Sequence, residues 1–116
     1  MLHFETQEFN SPDLENSGIN MDNAFLQMLD DARGIAGIPF KITSGYRSVE
    51  HNQKVGGVSN SSHLVGKAAD IAVGSGKERY IIINALIKAN FKRLGVAKSF
   101  IHCDNDDSKP DSIWTY

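Results

Sequence analysis

Apolar and polar residues alternate along the chain with two periods, and the change of period marks the elements. Over residues 21–36, Ala24, Phe25, Met28, Leu29, Ala32 and Ile35 recur at helical spacing, which predicts an amphipathic helix. Asn20 is read as its cap, and Gly37 with Pro39 as its end. Residues 40–43 then read as a short strand. Ser48 caps a short helix that runs to Val55, Gly56-Gly57 breaks it, and residues 58–62 form a loop. Residues 68–73 switch to a period of two. Ala68, Asp70 and Ala72 share one face of the predicted strand, while Ala69, Ile71 and Val73 share the other and face a core. Ser75-Gly76-Lys77-Glu78 has capping-box spacing and opens a helix to about residue 90, with Tyr80, Ile83, Leu86 and Ile87 among its apolar positions. Residues 93–97 and 99–104 are strands too close for anything but a tight hairpin. In the second of them Phe100, His102 and Asp104 share a face opposite Ile101 and Cys103. Residues 113–116 add an edge strand. The expected fold is α+β, a small mixed or antiparallel sheet packed against helices.

Length and charge narrow this further. A chain of 116 residues supports one core, so residues 1–116 are expected to form a single domain. A net charge of −2 points to neither nucleic acid nor a membrane surface. One cysteine excludes an internal disulfide framework, and Cys103 is expected to pack as a small apolar residue. No segment has the length of a membrane span or the pattern of a signal peptide.

The strand pattern gives the candidate chemistry. Ser61-Ser62-His63-Leu64-Val65-Gly66-Lys67-Ala68-Ala69-Asp70 joins a histidine to a carboxylate through a glycine and small residues, and His102 lies downstream. If the two predicted strands are neighbours, Asp70 and His102 face the same space. His63 arrives from the loop before, along a tight path that Gly66 permits. Two imidazoles and one carboxylate hold a zinc ion and leave a position open for water, as hydrolytic zinc sites require. His63, Asp70 and His102 are therefore the candidate metal ligands for one zinc per chain. Arg47 offers a permanently charged fork of donors for an oxyanion or a substrate carboxylate. Asp104, two residues beyond His102, has two readings: it takes a proton from water, or it orients His102. Asn52 is read as a helix-to-loop hydrogen-bonding residue. Asp106, Asp107 and Asp111 are assigned to a solvated loop, and Trp114 and Tyr116 to core or edge-strand packing, with a partial role in gripping a peptide as the alternative.

Over nearly its whole length the chain resembles the zinc D-Ala-D-Ala carboxypeptidase family of peptidoglycan peptidases, which shares its fold with the amino-terminal domain of hedgehog proteins. The resemblance runs from Phe9-Asn10-Ser11-Pro12-Asp13 through Ser44-Gly45-Tyr46-Arg47-Ser48, Asn52, Val55-Gly56-Gly57 and the Ser61 to Asp70 motif. It ends on Phe100-Ile101-His102-Cys103-Asp104 and Trp114-Thr115-Tyr116. Short bacteriophage and prophage members are the most similar. The resemblance implies a hedgehog-like D,D-peptidase fold, an Arg47 that polarises the scissile carbonyl, and a substrate contact at Ser61, which otherwise reads as a turn residue bonded to local backbone. Two departures stand out. Many relatives carry an acidic residue three positions before the last zinc histidine, where this chain has Ser99. Others carry a His-x-His pair, and here Phe100 takes the first place.

The expected function is zinc-dependent hydrolysis of an amide bond in peptidoglycan stem or cross-bridge peptides, by a monomer, as a carboxypeptidase or an endopeptidase in cell-wall lysis or remodelling. Such a protein, made in the cytoplasm, reaches the wall by release or by another export route. The alternative is a catalytically silent, zinc-stabilised wall-binding module.

Overall fold

The computed structural model describes all 116 residues. Helix α1 spans Asn23–Ala36, and its cap is Asp22, whose carboxylate accepts from Phe25 N, rather than Asn20. Asn20 instead ends a 3-10 turn, Ser17–Asn20. Gly37 closes the helix with a positive φ of 69°. Strand β1 is Ile42–Ser44, and α2 is Val49–Lys54 with the Ser48 hydroxyl as its cap. A 3-10 turn at Ser62–Val65 leads into β2, Ala68–Ala72. Helix α3 is Gly76–Lys88, capped by Ser75, whose hydroxyl accepts from Glu78 N. Strands β3 (Arg93–Val96), β4 (Phe100–Asp104) and β5 (Ser112–Thr115) follow.

The five strands form one mixed sheet in the order β1-β2-β4-β3-β5, antiparallel throughout except for the parallel β3–β5 pair. The α+β expectation is met, as is the pairing of the two site strands, which sets Asp70 opposite His102. Ala69, Ile71, Leu94, Ile101 and Cys103 point to the helix side and join Phe25, Leu29, Ile82 and Leu86 in the core. Cys103 is fully buried there. Along α3 the buried positions are Ile82, Ala85 and Leu86, while Tyr80 and Ile87 face solvent. That helix needs only a narrow stripe against the sheet, so two of the expected apolar contacts are not made.

The amino-terminal segment carries more of the core than its pattern indicates. Phe9 is completely buried, with Phe4 edge-on to it at 5.5 Å and Phe40 beyond. Asp30 on α1 anchors this segment by accepting from Leu2 N at 3.0 Å and His3 N at 2.9 Å. Helices α1 and α3 and this segment cover one face of the sheet. The other face carries the site.

Candidate metal centre

Three elements bring the candidate ligands together. Asp70 comes from β2, His102 from the neighbouring β4, and His63 from the 3-10 turn before β2. Ligand-capable atoms of His63, Asp70 and His102 all lie within 4.8 Å of one another, and all three residues are buried. Gly66 makes the turn possible. Its φ is +71°, and a Cβ there would lie 2.3 Å from Asn20 O, so the position excludes a side chain on two counts.

Hydrogen bonding fixes what each imidazole offers. His63 Nδ1 lies 2.7 Å from the Gly45 carbonyl, which can only accept, so the proton sits on Nδ1 and the Nε2 lone pair is free. Nε2 is buried, has no hydrogen-bond partner, and stands 3.4 Å from Asp70 Oδ1. An unpartnered imidazole nitrogen aimed at a carboxylate and a second imidazole fits a metal cation better than any protein group nearby. His102 presents Nδ1 to Asp70 Oδ1 at 3.0 Å and Nε2 to Asp104 Oδ2 at 2.7 Å. With Nε2–H donated to Asp104, Nδ1 is the nitrogen left for a metal.

The charges follow from these contacts. Burial alone would raise the Asp70 carboxyl, but the hydrogen bond from His102 and the nearness of both imidazoles outweigh it and hold its pKa below the usual range. For His102 burial acts downward, yet hydrogen bonds to Asp104 and Asp70 win and raise it. A proton on Nδ1 therefore competes with a metal for that nitrogen.

Asp104 stands behind His102. Its side chain is 1% exposed, Oδ1 accepts from Arg93 Nε at 2.7 Å and from Asp106 N at 3.2 Å, and it does not line the cleft. Burial would raise its carboxyl, but the hydrogen bond and charge of His102, and after them Asp106 N and Arg93, outweigh it and keep the pKa below its ordinary value. With both oxygens engaged away from the cleft, this placement favours the orienting role over proton transfer.

Arg47 meets the site from β1's end. Nη2 is 3.6 Å from Asp70 Oδ2, while Nε donates to Ser44 Oγ and Nη1 to Asn52 Oδ1, each at 3.2 Å. Asn52, as expected, bonds a loop: its Nδ2 donates to Val58 O at 2.9 Å. Ser61 accepts from His63 N at 3.3 Å, the local turn contact, and also lines the cleft. His51 lies with Asp13 and Glu50 on another surface.

The cleft over these residues holds about 560 Å³. At its border one expectation is corrected, and a second resolves toward its alternative. Asp106 is buried rather than solvated, because it accepts from Ser62 Oγ at 2.7 Å and from Ser108 Oγ at 2.6 Å, clipping the 105–111 loop to the His63 turn. Trp114 and Tyr116 line the cleft, with the Trp114 ring 5.4 Å from that of His102. Space for the indole exists because its sheet neighbour is Gly95, where a Cβ would lie 2.6 Å from Trp114 Nε1. Sequence reasoning also left out Gly45 and Arg93. Gly45 acts through a backbone carbonyl, which no side-chain pattern reveals. Arg93 is announced only by facing Asp104 across the hairpin.

Two imidazoles and a carboxylate on an open sheet face, beside an arginine, make the ligand set of a hydrolytic zinc centre. The comparisons agree with that class. Residues 2–104 match the profile of the family described as Peptidase M15, and the chain belongs to that family. A stretch of 37 residues is 51% identical to the zinc D-Ala-D-Ala carboxypeptidase of Streptomyces albus G, covering 32% of this chain and 14% of that relative. The family resemblance and the zinc cofactor expected from the sequence are thus borne out, and His63, Asp70 and His102 form the group able to bind the ion.

Proposed function

We propose that this protein hydrolyses an amide bond in peptidoglycan peptides, with His63 Nε2, Asp70 and His102 Nδ1 holding zinc. The observation that carries the proposal is the buried, unpartnered His63 Nε2 facing Asp70 and His102 at the floor of a cleft that Arg47 also lines. Bound zinc would supply a Lewis acid for a carbonyl oxygen and acidify water. Arg47, held by Ser44 and Asn52, donates to the charge that develops on that oxygen. Asp104 accepts Nε2–H of His102 and so turns Nδ1 toward the metal position. The substrate class rests on the zinc D-Ala-D-Ala carboxypeptidase relative, and lysis or remodelling of the wall is the role that follows from it.

A second reading, a silent wall-binding module, is favoured by one feature: Asp70, itself a ligand, is the one carboxylate lining the cleft. Zinc-loaded protein incubated with defined muropeptides separates the two, with products identified by mass. Cleavage that a chelator abolishes and zinc restores is the expected result. Binding without any product establishes the module, and rapid casein cleavage with untouched muropeptides overturns the wall substrate.

A further inference from the structure

Arg93 makes three contacts that no other residue links. Nε donates to Asp104 Oδ1 at 2.7 Å, Nη1 donates to the Pro110 carbonyl, and the guanidinium lies over the Trp114 ring at 4.9 Å from its centroid. Its side chain is only 13% exposed, so these contacts are made largely out of water. Each contact lies on a different part of the site. Asp104 bonds the metal ligand His102, Pro110 belongs to the loop that crosses from β4 to β5, and Trp114 is the cleft wall.

We propose that Arg93 is a positioning residue that couples the metal ligand His102, through Asp104, to the aromatic wall at Trp114. The reasoning begins at Asp104. Its carboxylate is almost wholly buried between two partners, with Oδ1 held by Arg93 Nε at 2.7 Å and Oδ2 facing His102 Nε2 at 2.7 Å. Held in this way, Oδ2 accepts Nε2–H of His102, which directs the opposite nitrogen to the metal. The same planar group supports the wall. Strand β5 is an edge strand whose sheet partner is β3, and three of its four residues are exposed. Its backbone ladder fixes where Trp114 starts, and the stacked guanidinium fixes where the ring lies. A lysine offers a point charge but not this fork and plane together. Coupling of this kind is reciprocal: a group that steadies the wall and the ligand at once makes metal binding and wall position depend on each other.

The proposal rests on the metal assignment above but not on the substrate, so its test reads metal and tryptophan rather than hydrolysis. Trp114 is the single tryptophan in the chain and reports the wall alone. Metal-free wild type, Arg93→Gln, Arg93→Lys and Leu86→Ala proteins are titrated with zinc against a competing chelator while tryptophan emission is followed. Wild type should bind one zinc and change its emission on binding. Arg93→Gln should bind zinc about 10-fold or more weakly, and its emission should change little even at saturation. Arg93→Lys should recover most of the affinity with little of the emission change. Leu86→Ala, a core truncation in α3, should lower thermal stability and leave both readouts as in wild type. Zinc affinity in Arg93→Gln within about twofold of wild type, or an undiminished emission change, overturns the coupling. An equal loss in Leu86→Ala overturns it too, by showing mere destabilisation. If Arg93→Gln does not fold, Arg93→Lys decides: a full wild-type emission response refutes the proposal. Wild type that binds no zinc refutes the metal assignment itself, and this inference with it.

Discussion

At His63 a backbone carbonyl sets the chemistry: Gly45 O accepts from Nδ1, 2.7 Å away, and Nε2 is left bare toward Asp70 and His102. Replacing His63 with alanine should therefore lower zinc content and melting temperature together, because a ligand lost is folding free energy lost. Full zinc occupancy in that variant, measured by atomic absorption, would show that the ion sits elsewhere. Arg47→Ala should behave differently. It touches Asp70 only at 3.6 Å, so zinc should remain while turnover falls by about 10²-fold, as for a lost oxyanion donor. Unchanged turnover on the substrate that wild type cleaves would remove Arg47 from the chemistry. The cluster of His63, Asp70 and His102 was legible in the sequence because side chains of the right type stood at strand and turn positions that converge. Asp104 was only half legible. Its spacing placed it beside His102, but which way its oxygens turn is decided by Arg93 on the neighbouring strand.

Among the elements, those with a strong period were readable and those held by distant contacts were not. The alternation over residues 68–73 assigned both faces of β2 correctly, since one face is core and the other site. The cap of α1 was misplaced by two residues because Asn20 and Asp22 are both good caps, and Asn20 is taken up by the 3-10 turn that ends there. The β5 pattern could not show that Trp114 folds over Gly95, a contact set by the parallel pairing. Gly95→Ala should consequently displace the indole and destabilise the protein by about 1–3 kcal/mol, detectable as a shifted tryptophan emission. An unshifted spectrum with unchanged stability would mean the wall does not depend on that close approach. The anchoring of the amino-terminal segment gives a pH-dependent counterpart. Burial would raise the Asp30 carboxyl, but hydrogen bonds from Leu2 N and His3 N outweigh it and lower its pKa below 3.8. Its stabilisation is thus complete above the unfolded value and is lost as pH falls through the folded one. Asp30→Ala should destabilise the protein at neutral pH by about 1.5–3 kcal/mol, with the difference from wild type shrinking in acid. A difference that is constant from neutral pH to strong acid would place the effect in packing rather than charge.

For the molecule as a whole, the candidate metal site lies across the sheet from the main core, and its residues come from β2, β4 and the turn before β2. The helix side is closed by Phe9, Phe25, Leu29, Leu86 and Ile101, all completely buried. On the open side, no apolar residue of the His63 turn joins the core; a polar contact, Ser62 with Asp106, ties that turn to the loop after β4. A cation bridging His63, Asp70 and His102 would tie the turn, β2 and β4 in one step. Because the unfolded chain cannot assemble three ligands from residues 63, 70 and 102 at comparable affinity, zinc should act as a stabiliser in proportion to its free concentration. At a thousandfold excess over the dissociation constant the gain is about 4 kcal/mol, which for a domain of this size raises the melting temperature by about 10 °C or more. Calorimetry of the chelator-treated and zinc-restored protein measures it directly. The gain should vanish in His63→Ala and persist in Arg47→Ala, since only the first removes a ligand. Equal melting temperatures with and without zinc in wild type would mean that the cluster is held by the protein alone, and that its buried, unpartnered nitrogen is tolerated rather than filled.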